Sequence, residues 1–138
     1  MTKLEREGFL SEVHLGVVGI NEPNHSPRVV PLWYDFDPLI GVVIIVREKS
    51  KKLKLLTEAN RFSLCVQKTT RPYKHVSVQG PIVEIRPCDE LVDLPKMVVR
   101  YMGNIDGKKY LEQRPTEKSV VLVMRPEKWV TADYSEHP

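Results

Sequence analysis

Gly41 to Leu56, GVVIIVREKSKKLKLL, decides how this chain is read. Val42 to Val46 is an unbroken β-branched run with the length and composition of a strand covered on both faces. Periodicity alone leaves a helix open, but the glycine before the run and the charges after it favour a strand. Arg47, Lys49, Lys51, Lys52 and Lys54 then crowd cations into a short span, and Ser50 stands where it can cap a helix carrying Leu53 and Leu56. A helix start offers free backbone N–H groups and roughly half a positive charge, so lysines there make a seat for a phosphate. Taken by itself the segment favours a plainer reading, a solvated helix face.

Working outward toward the N-terminus, Arg28 to Tyr34, RVVPLWY, and Val13 to Ile20, VHLGVVGI, carry strand composition, and Asn21 to Pro27 between them has turn chemistry. The pair reads as a hairpin. Pro31 cannot donate a ladder hydrogen bond, so its strand belongs at an edge, at a bulge, or beside a ligand that replaces the missing neighbour. Asp35 to Ile40 reads as a turn, and Lys3 to Leu10 as a short helix over one end of the fold.

Toward the C-terminus, Phe62, Leu64 and Val66 alternate with Ser63, Cys65 and Gln67, the period of a half-buried strand. His75 to Ile85 alternates likewise, and Gly80-Pro81 suggests a bulge or bend that lets a sheet curl. Leu91, Leu94, Val98 and Tyr101 recur at helical spacing, with Asp89 or Asp93 to cap and Gly103 to close. Pro95 moves the start toward Asp93, and Tyr110 to Arg114 reads as a second short helical piece. Ser119 to Met124 is a last strand, which RPEKWV can continue, and Asp133 to Pro138 is a loose polar tail. About six mostly antiparallel strands with peripheral helices form most economically a small β-barrel, one domain over residues 1–138.

Composition narrows the function. The chain has 138 residues, 41% hydrophobic and 28% charged, which suits one globular core. Net charge is +3 from 21 basic and 18 acidic residues, too balanced for a nucleic-acid binder. No apolar run approaches the roughly 20 residues of a membrane span, and Met1 to Leu10 is too charged for a signal peptide, so a cytoplasmic setting is expected. Cys65 and Cys88 form no CxxC pair and His14, His25 and His137 show no ligand spacing, so no metal site is expected. No GxGxxG supports a dinucleotide fold.

Three segments in this order, LGVVGINEPNHSPRVVPLWYDFD, VVIIVREKSKKLKLL and RPYKHVSVQGPIVEI, resemble the flavin and deazaflavin split-barrel family related to pyridoxamine 5'-phosphate oxidase. The likeness extends into RYMG and VVLVMRPEKW. It implies a six-stranded antiparallel, Greek-key-like split barrel, a homodimer with FMN or coenzyme F420 in grooves between subunits, and oxidoreductase activity on a small molecule. In the family's S-x-K-x-x-N-L pattern the lysine binds the cofactor phosphate. That lysine is Lys52 here, flanked by Ser50 and Lys51, while Leu55 stands where asparagine is usual. Val30, Pro31, Leu32 and Trp33 match the strand whose backbone edges the isoalloxazine ring. Val46 and Arg47 match the phosphate and ribityl side, and Tyr73 and Lys74 match positions that reach the ring from the partner subunit. No catalytic residue is identified, because in such proteins the cofactor carries the hydride. The cation cluster and the wording of PLWYDFD and RYMG lean toward F420. The alternative is a non-catalytic binder or store of a cofactor or heme, for which His75 is the candidate axial ligand.

Overall fold

The structure is a computed structural model and describes residues 1–135. Helix α1 (Lys3–Ser11) opens on a capping box in which the Glu5 amide donates to Thr2 Oγ1 at 3.1 Å, and it buries Phe9 and Leu10. There follow β1 (Gly16–Ile20), β2 (Arg28–Leu32), β3 (Tyr34–Asp37), β4 (Gly41–Arg47), α2 (Lys51–Ala59), β5 (Arg61–Gln67), β6 (Lys74–Pro87), α3 (Asp93–Gln113), β7 (Ser119–Met124) and β8 (Lys128–Asp133).

The sheet runs β2-β1-β5-β6-β7-β4-β3, with β8 also paired to β6, and every pairing is antiparallel. Its two terminal strands, β2 and β3, are joined by the single residue Trp33. A sheet whose ends are one residue apart must curl on itself, so the path closes into a barrel left open between β2 and β4. Val18, Ile20, Tyr34, Ile44, Leu64, Val76, Leu122 and Met124 fill the interior, and α1 and α2 add Leu10 and Leu56. No polar or charged residue is fully buried among the described residues.

Several expectations are corrected. Eight strand segments stand where about six are expected. One added segment arises because the run from Arg28 to Tyr34 breaks at Trp33. Another arises because Arg125–Glu127 turns a corner, so that only the KWV of RPEKWV is strand, and it opens the separate strand β8 instead of prolonging β7. That corner wraps Gly80: the Arg125 amide donates to Pro81 O and the Glu127 amide to Gln79 O. A Cβ on Gly80 would lie 1.8 Å from Arg125 O, so β6 can bend there only with glycine. The register shift itself comes slightly later, between Ile82 and Glu84.

Asp35 to Asp37 belongs to β3 rather than to a turn. The first strand starts at Gly16 instead of Val13, because the carbonyls of Glu12 and His14 accept from α3 side chains. Asp93 does not cap α3: Val92 holds the cap position, and Asp93 forks onto Arg86. Gly103 (φ 78°, ψ 175°) has non-helical backbone and ends the first of the two expected helical pieces, as expected, so α3 is two helices that meet there at a kink. Of the tail, Asp133 closes β8, and the Tyr134 amide donates to Tyr73 O. Residues 136–138, with His137, lie outside the described residues.

Candidate functional site

The register of β3 on β4 sets Tyr34 opposite Ile44. Continued one step further it would place Trp33 against Ile45 and Leu32 against Val46. The pairing stops there, and a cavity of about 240 Å³ opens in the gap, lined by Leu32, Trp33, Ile45, Val46 and Arg47 and roofed by α3. Beyond Tyr34 the near edge of β4 has no strand partner, and β2 pairs only with β1. Two strand edges with unpaired N–H and C=O groups thus flank the split, the arrangement a flat heterocycle with donors and acceptors along one side can bridge. The edge position also resolves Pro31, which is exposed opposite Val17.

A second cleft of about 600 Å³, lined by Arg47, Lys49 and Lys118 with Glu48, Thr116 and Glu117 between them, shares Arg47 and Glu117 with the first. Drug-sized ligands occupy roughly 300–1,000 Å³, so the split alone is short for such a molecule and the adjoining cleft supplies the length. Arg47 Nε meets Glu117 at 2.9 Å at the junction, and its side chain remains largely exposed.

The start of α2 stands just beyond. Ser50 Oγ accepts from the Leu53 amide at 3.2 Å and donates to Arg47 O at 2.7 Å, so the hydroxyl is fully engaged as a cap. The amides of Lys51 and Lys52, in the first turn, have no intrahelical acceptor. Lys51 Nζ is already held 3.1 Å from Glu22, whose other oxygen receives Arg28. The Lys51 ammonium, the largest influence, holds the Glu22 carboxyl below the usual carboxylate range. Lys52, half-buried, forms no ion pair among the described residues. Of the lysines matched to the family pattern, it is therefore the one with its charge uncommitted. Leu55, where the family pattern has asparagine, is a buried core residue.

Trp33 owes its position to α3, which sequence reasoning left without a role. The Tyr101 ring stacks on Trp33 with centroids 4.9 Å apart and planes 4° from parallel. Its hydroxyl lies 2.7 Å from His14 O and 3.1 Å from Tyr34 O, and accepts from the Tyr34 amide at 3.0 Å. Arg100 donates to the carbonyls of Tyr34, Ser11 and Glu12. Burial raises the hydroxyl pKa of both Tyr34 and Tyr101 above the usual tyrosine value, so both remain protonated donors. The RYMG segment is thus a clamp that ties the β2–β3 break to the α1–β1 connection.

The remaining candidates lie elsewhere. Val30 is half-buried in β2. Tyr73 is exposed at the start of β6, and Lys74 Nζ lies 3.8 Å from Asp133. The β6–β5–β1–β2 pairings put β1 and β5 between them and the split. His75 is half-buried 6.5 Å from the Tyr134 ring. No group of three potential metal ligands occurs among the described residues, and no helix there is long and apolar enough to cross a membrane.

No protein-family model and no curated protein sequence matches this chain. Solved structures do. A conserved hypothetical protein from Mycobacterium tuberculosis superposes with a TM-score of 0.76 at 21% identity, over 99% of this chain and 87% of that one. An F420 reductase gives 0.64 at 18% identity, over 90% and 94%. A FAD- and heme-binding protein from Mycobacterium smegmatis gives 0.63 at 13% identity, over 96% and 71%. At these identities the likeness establishes the fold, and the fold matches that of the split-barrel family.

Proposed function

We propose that the chain is a flavin- or deazaflavin-dependent oxidoreductase that passes hydride between the bound cofactor and a small molecule. The observation that carries this reading is the split itself: two unpaired strand edges, at Val30–Trp33 and at Val46–Arg47, beside a cleft where Arg47, Lys49 and Lys118 outnumber Glu48 and Glu117, with the uncommitted Lys52 following in the first turn of α2. The edges suit the ring, and the cations suit a phosphate. Coenzyme F420 is favoured over FMN because, with Arg47 held by Glu117 and Glu48 also in the lining, Lys49 and Lys118 still leave the second cleft net positive where an acidic tail would run. The cofactor supplies the hydride chemistry when bound. This chain's own part is to bind, orient and shield it, with Trp33 held by Tyr101 at the edge of the split. The F420 reductase among the structural relatives adds support.

Homodimerisation belongs to the same proposal. The strand registers place Pro31, Val17, Cys65, Ser77 and Val130 in one row across the outer face of β2-β1-β5-β6-β8. That row holds no charge, and Val17, Val29 and Val130 are exposed on the face. A second copy seated there would bring Tyr73 and Lys74 of the partner subunit toward the split. Cys65 and Cys88 are free thiols, as suits a reducing, cytoplasmic compartment.

Fluorescence titration with FMN and with coenzyme F420 tests the reading, and sedimentation tests the dimer. Saturable binding of either at one per chain supports it, and binding of neither overturns it. A heme binder is the second reading, prompted by the FAD- and heme-binding relative. It requires an axial ligand, and His75 stands outside the split, so loss of a heme absorbance band in His75→Ala would be its signature.

A further inference from the structure

The end of the barrel away from the split carries a groove of about 790 Å³ between α1, the β3–β4 turn and the β7–β8 corner. The seven residues of β4 separate the two ends by roughly 20 Å at about 3.3 Å per residue, so this groove is distinct from the split. Phe36 and Trp129 form its aromatic wall, packed edge to face with centroids 6.0 Å apart. Leu39 is 96% exposed and Leu4 83%, which leaves two large apolar side chains at the rim with nothing to cover them.

Arg6 lines this groove. Its guanidinium carbon lies 4.6 Å from the Trp129 ring centroid, a cation–π stack. Arg6 Nε is buried without a hydrogen-bond partner, the one such side-chain atom among the described residues. Arg6 forms no ion pair among the described residues, although acids are close by. Glu127 in the same groove is already held by Arg61 at 3.6 Å and Arg125 at 3.5 Å. The helix terminus is not the feature at issue, since Thr2 and Glu5 close it with their own capping box. The buried Nε–H faces away from the groove, so the donors a ligand can reach are the two outer amino groups of the guanidinium, which make no hydrogen bond or ion pair among the described residues. A planar fork braced on an indole suits a carboxylate in two-point contact. Gly8 faces the same groove, and a Cβ there would meet nothing within 4 Å, although glycine inside a helix is otherwise unfavourable.

We infer that this groove is a second ligand site, binding a small organic acid with its carboxylate on Arg6 and its apolar body along Phe36, Trp129 and Leu39. Two-dimensional NMR of the full-length protein, with hydrocinnamate as the probe and hydrocinnamamide as its neutral counterpart, tests it. The chain has two tryptophans, so the indole N–H resonances of Trp33 and Trp129 are assigned by Trp33→Phe. Hydrocinnamate is expected to shift the Trp129 resonance saturably, and the amide to bind about tenfold more weakly, the size of a charge-assisted contact. Arg6→Gln should remove that preference. Gly8→Leu, which adds bulk into open space and keeps every charge, should abolish binding while leaving the rest of the spectrum in place. Absence of a saturable shift, equal binding of acid and amide, unchanged affinity in Arg6→Gln, or a response at Trp33 in place of Trp129 would overturn the inference.

Discussion

Removing the Tyr101 hydroxyl should loosen the molecule at the point where the barrel splits. Tyr101→Phe keeps the ring on Trp33 but deletes an oxygen that accepts from the Tyr34 amide at 3.0 Å and lies 2.7 Å from His14 O. The donated bond is worth about 0.5–1.5 kcal/mol net, and stranding a part-buried backbone donor costs about 1–3 kcal/mol. The Arg100 bonds to Tyr34, Ser11 and Glu12 remain, so the clamp weakens without disappearing. A loss of about 2–3 kcal/mol follows, which for a chain of this length lowers Tm by roughly 10 °C. Urea denaturation of the variant beside Tyr110→Phe measures it. Tyr110 is exposed and makes no side-chain hydrogen bond among the described residues, so its hydroxyl should be dispensable. If Tyr101→Phe lies within about 0.5 kcal/mol of wild type, the usual range for surface changes, the clamp does not hold the break at Trp33.

Other expectations follow from the same contacts. Gly80→Ala sets a Cβ 1.8 Å from a backbone oxygen and should cost more than about 3 kcal/mol or prevent folding, whereas Gly8→Ala should stabilise by about 0.5–1 kcal/mol; equal melting temperatures would refute the contrast. Hydrogen bonding from Arg86 holds the Asp93 carboxyl below the usual carboxylate range. Its folded pKa lies below its unfolded value, so the stabilisation is complete above about pH 4 and is lost as pH falls through the folded value. The stability gap between wild type and Asp93→Asn should therefore close on acidification, and a gap that stays constant from neutral pH to about pH 3 would contradict the pairing. Lys52→Ala should weaken cofactor binding by about 1.5–3 kcal/mol. Lys51→Ala should do less because Glu22 already occupies that charge, and Glu22→Gln should tighten binding by releasing it; isothermal titration of the three variants checks the order.

Much of the fold is legible in the sequence because β-branched runs and strict alternation report burial directly. Phe62, Leu64 and Val66 are buried and Ser63, Cys65 and Gln67 exposed, as their alternation requires. Ser50 caps α2 as its place before the lysines suggests. Alternation and capping of this kind are local signals, readable from residues a few positions apart. Long-range contacts are not. Arg100 reaches carbonyls 66 to 89 residues away, and no local pattern announces a side chain that binds distant backbone. The break at Trp33 was equally hidden, since RVVPLWY has continuous strand composition and the interruption follows from a stack on Tyr101. Nor could composition tell Lys51, paired with Glu22, from Lys52, which is not. That distinction needed the β1–β2 loop placed against α2.

Backbone amide shifts recorded while FMN or coenzyme F420 is titrated into the protein test the central claim most directly, because they locate the ligand as well as detect it. The account predicts saturable shifts concentrated at Leu32, Trp33, Val46, Arg47 and the first turn of α2, lined along the two unpaired edges. Shifts confined to the far end of the barrel around Arg6 and Trp129, or none with either cofactor, would contradict it.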